Sequence, residues 1–214
     1  MVARMILEHE YALLGGLNRA RIGQVLGAAA AAVSSILVWV LLALVGLAQW
    51  LGYGEAVPAL ILWPIGAGAI YVGLYWAFDR WIWRWKNLRG VLRVPDLAGT
   101  WHCAGQTINA DKTPGYVWEG EVTIVQTWDR IRVRLKTKQS GSNSITASLV
   151  HDEADGFRLH YTYKNDPNID EPELEAHRGS AELVFDRDLR TARGEYFNGH
   201  GRYTFGTMRL TRKN

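Results

Sequence analysis

The chain has 214 residues, 48% of them hydrophobic, with a formal charge of +3 and a mean hydropathy near zero (−0.09). That mean hides two unlike halves: from Ile22 to Gly54, and again from Ala56 to Phe78, no Asp, Glu, Lys or Arg occurs, and each run exceeds the roughly 20 apolar residues a helix needs to cross a bilayer. A purely soluble protein is excluded. The basic excess also belongs to the membrane half, since residues 1–95 carry eight Lys/Arg against four Asp/Glu and residues 96–214 carry sixteen against seventeen, which argues against a DNA or RNA polymer as partner.

In chain order, the first elements predicted are two transmembrane helices at about 24–48 and 57–78. Their apolar cores are too long for a cleaved signal peptide. Arg4, Arg19 and Arg21 precede the first span, and Arg80, Arg84, Lys86, Arg89 and Arg93 follow the second, while the loop between them has only Glu55. Basic residues stay on the cytoplasmic side, so both termini are expected there. Trp76, Trp81, Trp83 and Trp85 crowd the cytoplasmic exit, at the headgroup level that indoles prefer. Gly23, Gly27 and Ala31 recur every fourth residue, a spacing that suits either self-association or packing of the two helices of one chain. With no charged residue in either span, an ion pathway is disfavoured.

Beyond Pro95 the pattern changes to period-two alternation broken by turn residues, which divides the chain into a membrane region, 1–94, and a cytoplasmic domain, 95–214. Eight strands are predicted at about 97–106, 116–128, 130–138, 143–151, 156–164, 177–186, 191–198 and 202–212. Ile131, Val133 and Leu135 alternate with Arg130, Arg132, Arg134 and Lys136; Phe157, Leu159, Tyr161 and Tyr163 share one face, as do Val122, Ile124, Gln126 and Trp128. Short strands with short connections and no helix between them predict a closed eight-stranded antiparallel up-and-down β-barrel. A barrel of that size either fills itself with side chains or holds one small ligand. Its expected inward face includes Trp101, Gln126, Trp128, Tyr161, Tyr163, Tyr196 and Asn198, whose polar tips need either each other or a ligand.

Signs of catalysis are missing. The six histidines are dispersed, and no nucleophile elbow, phosphate-binding glycine loop or metal-binding helix occurs, so no enzyme activity, cofactor or metal is expected. A single cysteine, Cys103, permits no internal disulfide. The acidic run Asp166, Asp170, Glu171, Glu173, Glu175 reads as a solvated loop. Two segments stand out: Tyr161-Thr162-Tyr163-Lys164-Asn165-Asp166-Pro167 places two phenols on one strand face ahead of a turn, and Tyr196-Phe197-Asn198-Gly199-His200-Gly201-Arg202 presents a guanidinium on a hairpin.

With Asp96-Leu97-Ala98-Gly99-Thr100-Trp101, Gln126-Thr127-Trp128 and the Gly194-Glu195-Tyr196-Phe197-Asn198 segment, these stretches follow two N-terminal spans. The chain resembles, over nearly its whole length, the two-transmembrane, β-strand-rich (SMODS-associating) effectors of bacterial cyclic-oligonucleotide anti-phage signalling, CBASS. The resemblance implies a cytoplasmic barrel that binds a cyclic dinucleotide made by a partner nucleotidyltransferase, followed by homo-oligomerisation in the inner membrane, loss of the bilayer barrier and cell death. On that reading Trp128, Tyr161, Tyr163 and Tyr196 stack on or enclose the ligand, Arg202 meets phosphate, and Thr137, Asn165 and Asn198 make polar contacts to the bases. Two other readings stay open: Gly99-Thr100-Trp101 also resembles the entry of lipocalin-type barrels, which carry apolar ligands, and a solidly packed barrel is a ligand-free interaction module.

Overall fold

The structure is a computed structural model that describes residues 7–52, 66–154, 156–199 and 202–213. The chain forms two compact units, one comprising the N-terminal residues to Gly16 together with Arg84 onward, the other Leu17–Trp83. By this division both flanks of the apolar segment belong to the strand-rich unit.

In the second unit, α1 (Arg19–Trp50) is a 32-residue helix whose first turn is capped by the Asn18 side chain, its Oδ1 accepting from the Ala20 N–H at 2.8 Å. Among the described residues it is the one helix long and apolar enough to cross a membrane, spanning about 48 Å at 1.5 Å per residue. Of the second predicted span, the part before residue 66 lies outside the described residues, and the remainder is α2 (Ala67–Arg80). The Gly23 Cα faces the Tyr71 hydroxyl of α2, whereas Gly27, one turn on, has nothing within 4 Å of where a side chain would begin.

In the strand-rich unit a short helix α3 (Lys86–Leu92) leads through residues 93–98 into β2 (Gly99–Ile108), β3 (Pro114–Gln126), β4 (Arg130–Thr137), β5 (Ser140–Asp152), β6 (Gly156–Pro167), β7 (His177–Phe185), β8 (Thr191–Asn198) and β9 (Phe205–Arg212). These eight strands pair antiparallel with their sequence neighbours, and β2 pairs with β9, so the sheet closes into a barrel.

The expected count of eight needs correction, because a ninth strand, β1 (His9–Leu14), lies before α1. Direct β4–β5 pairing covers only Arg134–Lys136 against Gly141–Asn143. A bulge between Ser144 and Thr146 then turns β5 away. β1 fills the fork, antiparallel to β4 at His9↔Ile131 and parallel to β5 from Tyr11↔Ala147 to Leu14↔Val150. At its apex the Ser144 hydroxyl oxygen accepts from the Val133 N–H (2.9 Å) and pairs with His9 Nε2 (2.7 Å).

One end of the barrel is plugged. Leu92, Val94 and Leu97 are buried there beside Trp101, Ile124, Ile131, Leu149 and Phe185. The Trp101 indole N–H donates to the Leu97 carbonyl (3.2 Å), and the Arg212 guanidinium lies 5.2 Å from its ring centroid. Gln126, with the same inward parity as the β3 core residues, spends its amide on the plug: Oε1 accepts from the Leu97 N–H (2.8 Å), while Nε2 donates to the Pro95 carbonyl (3.1 Å) and reaches the Tyr11 hydroxyl of β1 (3.4 Å).

Candidate ligand-binding cavity

At the other end the inward positions run to glycine, and the barrel is hollow. A cavity of about 650 Å³ opens between the β2–β3 strands, the β4–β5 turn, the 168–176 loop and the β8–β9 turn. Its cause is visible in the register: three large rings each sit opposite a glycine on the inner face, Trp118 opposite Gly105, Tyr163 opposite Gly179 and Tyr196 opposite Gly206. A Cβ at any of these glycines would strike the facing ring. The rings therefore lie along the wall instead of filling the centre.

Hydrogen bonds fix the rings in place. The Tyr163 hydroxyl passes over Gly179 to donate to Asn198 Oδ1 (2.7 Å), and Asn198 Nδ2 donates to the Thr204 hydroxyl (2.8 Å). The Tyr196 hydroxyl accepts from the Trp118 indole N–H (3.1 Å) and pairs with the Thr107 hydroxyl (3.2 Å); the Trp118 and Tyr196 rings meet edge to face at 5.7 Å. Burial pushes the phenols of Tyr161 and Tyr163 up, in Tyr163 against the opposing pull of the Arg202 charge. Both remain neutral donors at physiological pH.

A second set of polar groups is not spent in this way. On the inner face Ser142, Asn165 and His177 stand side by side across β5, β6 and β7, only 6%, 8% and 6% exposed. His177 Nδ1 donates to the Glu175 carbonyl (3.0 Å). The Asn165 amide, the Ser142 hydroxyl and His177 Nε2 have no hydrogen-bond partner among the described residues. Lys138 and Arg202 bring two cations to the lining, and Glu119 and Glu171, the latter held by Gln139 Nε2 at 3.3 Å, bring two carboxylates.

Seven of the residues named from sequence, Thr137, Tyr161, Tyr163, Asn165, Tyr196, Asn198 and Arg202, line this one cavity. Trp128 does not. It is fully buried just beyond the far end of β3, and Gln126 is already about 26 Å along the strand from Trp118 at about 3.3 Å per residue. Trp128 belongs to the plugged end. Sequence reasoning missed Trp118, Ser142 and His177 among the lining residues. Two of these were within reach: Trp118 shares the parity of Val122 and Ile124, and His177 that of Ala181 and Leu183.

Comparison with known proteins places this geometry. A family model described as the Cap15 cyclic dinucleotide receptor domain matches residues 92–212, which contain the cavity, and a second, Cap15 TM helices, matches residues 20–84. The chain belongs to the Cap15 family. It is 45% identical over 207 residues to the CD-NTase-associated protein 15 of Yersinia aleksiciae, covering 95% of this chain and 97% of that one. A protein of the same name from Staphylococcus schleiferi is 27% identical over 134 residues, covering 62% and 69%. Cap15 is a CBASS-associated receptor family, and with α1 the match to its membrane helices makes this chain membrane-associated.

Proposed function

We propose that this Cap15 chain is a CBASS effector whose barrel binds a cyclic dinucleotide in the open cavity, with Tyr161, Tyr163 and Tyr196 flanking the bases, Thr137, Asn165 and Asn198 in polar contact with the ligand, and Arg202 and Lys138 meeting its two phosphates. A partner nucleotidyltransferase supplies the ligand, and occupancy drives self-association and disruption of the inner membrane. The observation that carries the reading is the cavity itself: about 650 Å³, walled by aromatic rings, lined by two cations and unspent hydrogen-bonding groups, and lying within the span matched by a cyclic dinucleotide receptor domain. Rings suit base faces, guanidinium and ammonium groups suit phosphate oxygens, and the volume is in the range of small-molecule sites. An apolar lipocalin-type ligand is the poorer fit to a wall that carries Ser142, Asn165 and His177, and a solid interaction module is the poorer fit to a hollow barrel.

Self-association demands that the ligand bind the assembled form better than the free chain. The open side of Gly27 offers a close-approach face for it. That β1 and β2–β9, which flank the apolar segment in the chain, belong to one barrel supports, with the flanking arginines, two crossings with both termini cytoplasmic.

The test is thermal unfolding of the full chain in lipid nanodiscs against cyclic dinucleotides, with linear dinucleotides and a fatty acid as controls. A ligand at about 100 times its Kd adds about 2.7 kcal/mol of stability. One or more cyclic dinucleotides should shift the transition, Arg202→Ala should weaken the shift without lowering the unliganded transition, and the same ligand should release dye from vesicles carrying the protein. Stabilisation by the fatty acid alone, or by nothing, overturns the reading.

A further inference from the structure

The unpartnered row Ser142–Asn165–His177 has a use that the cavity as a whole does not specify. Three polar groups with no protein partner among the described residues, at adjacent register positions on one wall and facing the cavity, are open to hydrogen bonds from whatever occupies it. Cross-strand neighbours on one face stand about 5 Å apart at Cβ. The row therefore spans about 10 Å, room for the polar edge of one heterocycle.

Its chemistry is directional. Asn165 offers a carbonyl acceptor beside an N–H donor, the arrangement that reads a base edge bidentately. His177, with Nδ1 committed to the Glu175 carbonyl, presents Nε2 as an acceptor when neutral, and the Ser142 hydroxyl takes either role. A phosphate satisfies none of the acceptors here, because it brings no donor. An edge carrying an amino or imino N–H next to an acceptor satisfies them all. The cavity's cations, Lys138 and Arg202, come from other segments of the wall, the β4–β5 and β8–β9 connections.

We propose that Ser142, Asn165 and His177 form a base-reading row that takes the hydrogen-bonding edge of one nucleobase and sets which cyclic dinucleotide the chain prefers. The inference rests on the cyclic dinucleotide reading above, and it separates two jobs within one cavity: the row discriminates between bases, while Arg202 contributes to affinity for all of them.

The experiment measures affinities of the full chain in nanodiscs for cyclic di-AMP, cyclic di-GMP, cyclic di-UMP and the mixed cyclic dinucleotides, for wild type, Asn165→Ala, His177→Phe and Arg202→Ala. Each variant's thermal transition without ligand confirms folding, and the readout is the ratio of affinities within one variant, which a general loss of folded protein leaves unchanged. A well-placed bidentate contact discriminates between bases by about tenfold or more. Asn165→Ala and His177→Phe should therefore cut the preference for the favoured ligand about tenfold while the weaker ligands change about twofold, and Arg202→Ala should weaken all alike. A uniform loss in the row variants, or ratios equal to wild type, overturns the base-reading row and leaves the receptor reading standing. Binding of no cyclic dinucleotide by the wild type overturns both.

Discussion

Replacing Gln126 with Leu tests the logic of the plugged end. The side chain is 1% exposed, and leucine has nearly its volume, so no cavity cost arises. What is lost is the partner of the Leu97 N–H and that of the Pro95 carbonyl, together with a weaker contact to Tyr11. Each orphaned buried backbone group costs about 1–3 kcal/mol. Allowing for the added apolar burial of leucine, the expected loss is about 2–4 kcal/mol. For a domain between the size classes for which the scaling is known, about 4 °C per kcal/mol, this lowers Tm by about 8–16 °C. The assay is thermal unfolding of the full chain in detergent micelles, followed by sheet circular dichroism and paired with hydrogen exchange. Exchange should quicken together in residues 9–14 and 96–98, far apart in sequence, while the cavity strands β6–β8 stay protected. Tyr11→Phe removes only a hydroxyl and should cost about 1 kcal/mol or less. A drop in Tm under 2 °C for Gln126→Leu, or exchange rising evenly in every strand, refutes the reasoning.

Two further outcomes are expected. Gly179→Ala places a Cβ against the Tyr163 ring and 2.6 Å from the Phe197 carbonyl oxygen; it should cost about 1–3 kcal/mol by overpacking and abolish the Tyr163–Asn198 bond, so titration calorimetry should find ligand binding lost in a chain that still folds, and wild-type affinity would show that Tyr163 needs no such lane. Burial pushes the Cys103 thiol up to about 12 from 9.0. Between those values the unfolded chain has released the proton and the folded chain has not, so stability falls as pH rises above about 9, by about 1.4 kcal/mol per pH unit; Cys103→Ala should flatten the pH 9–10 part of a denaturation series, and an unchanged slope there contradicts the assignment.

Alternation along the strands was enough to turn Tyr161, Tyr163, Tyr196 and Asn198 inward, because a strand has only two faces and Leu159, Leu183 and Phe185 declare which one is buried. Alternation carries no information about position along the barrel axis, and this is why Trp128 was assigned to the cavity. The open end is decided by where the inward glycines fall, at 105, 179 and 206, and by the plug of residues 92–98, neither of which has a period. Ser142 escaped notice because the strand is expected to begin only at 143, with Ser140–Asn143 read as a turn, whereas β5 already starts at Ser140. β1 was illegible for another reason: its burial alternates, with His9, Tyr11 and Leu13 turned in and Glu10, Ala12 and Leu14 turned out, but the outward Ala12 and Leu14 are apolar and the inward His9 is polar, so the six residues carry no alternation of polarity.

That late-formed fork also dictates an order of manufacture. β1 leaves the ribosome first, yet its partner Val150 follows roughly 130 residues later, on the order of ten seconds at about 5–20 residues per second. The apolar segment emerges in that interval, so α1 is complete while the first strand still waits unpaired. A chain shortened to begin after the apolar segment carries β4 and β5 with bare edges where β1 belongs, the kind of edge that recruits strands from other molecules.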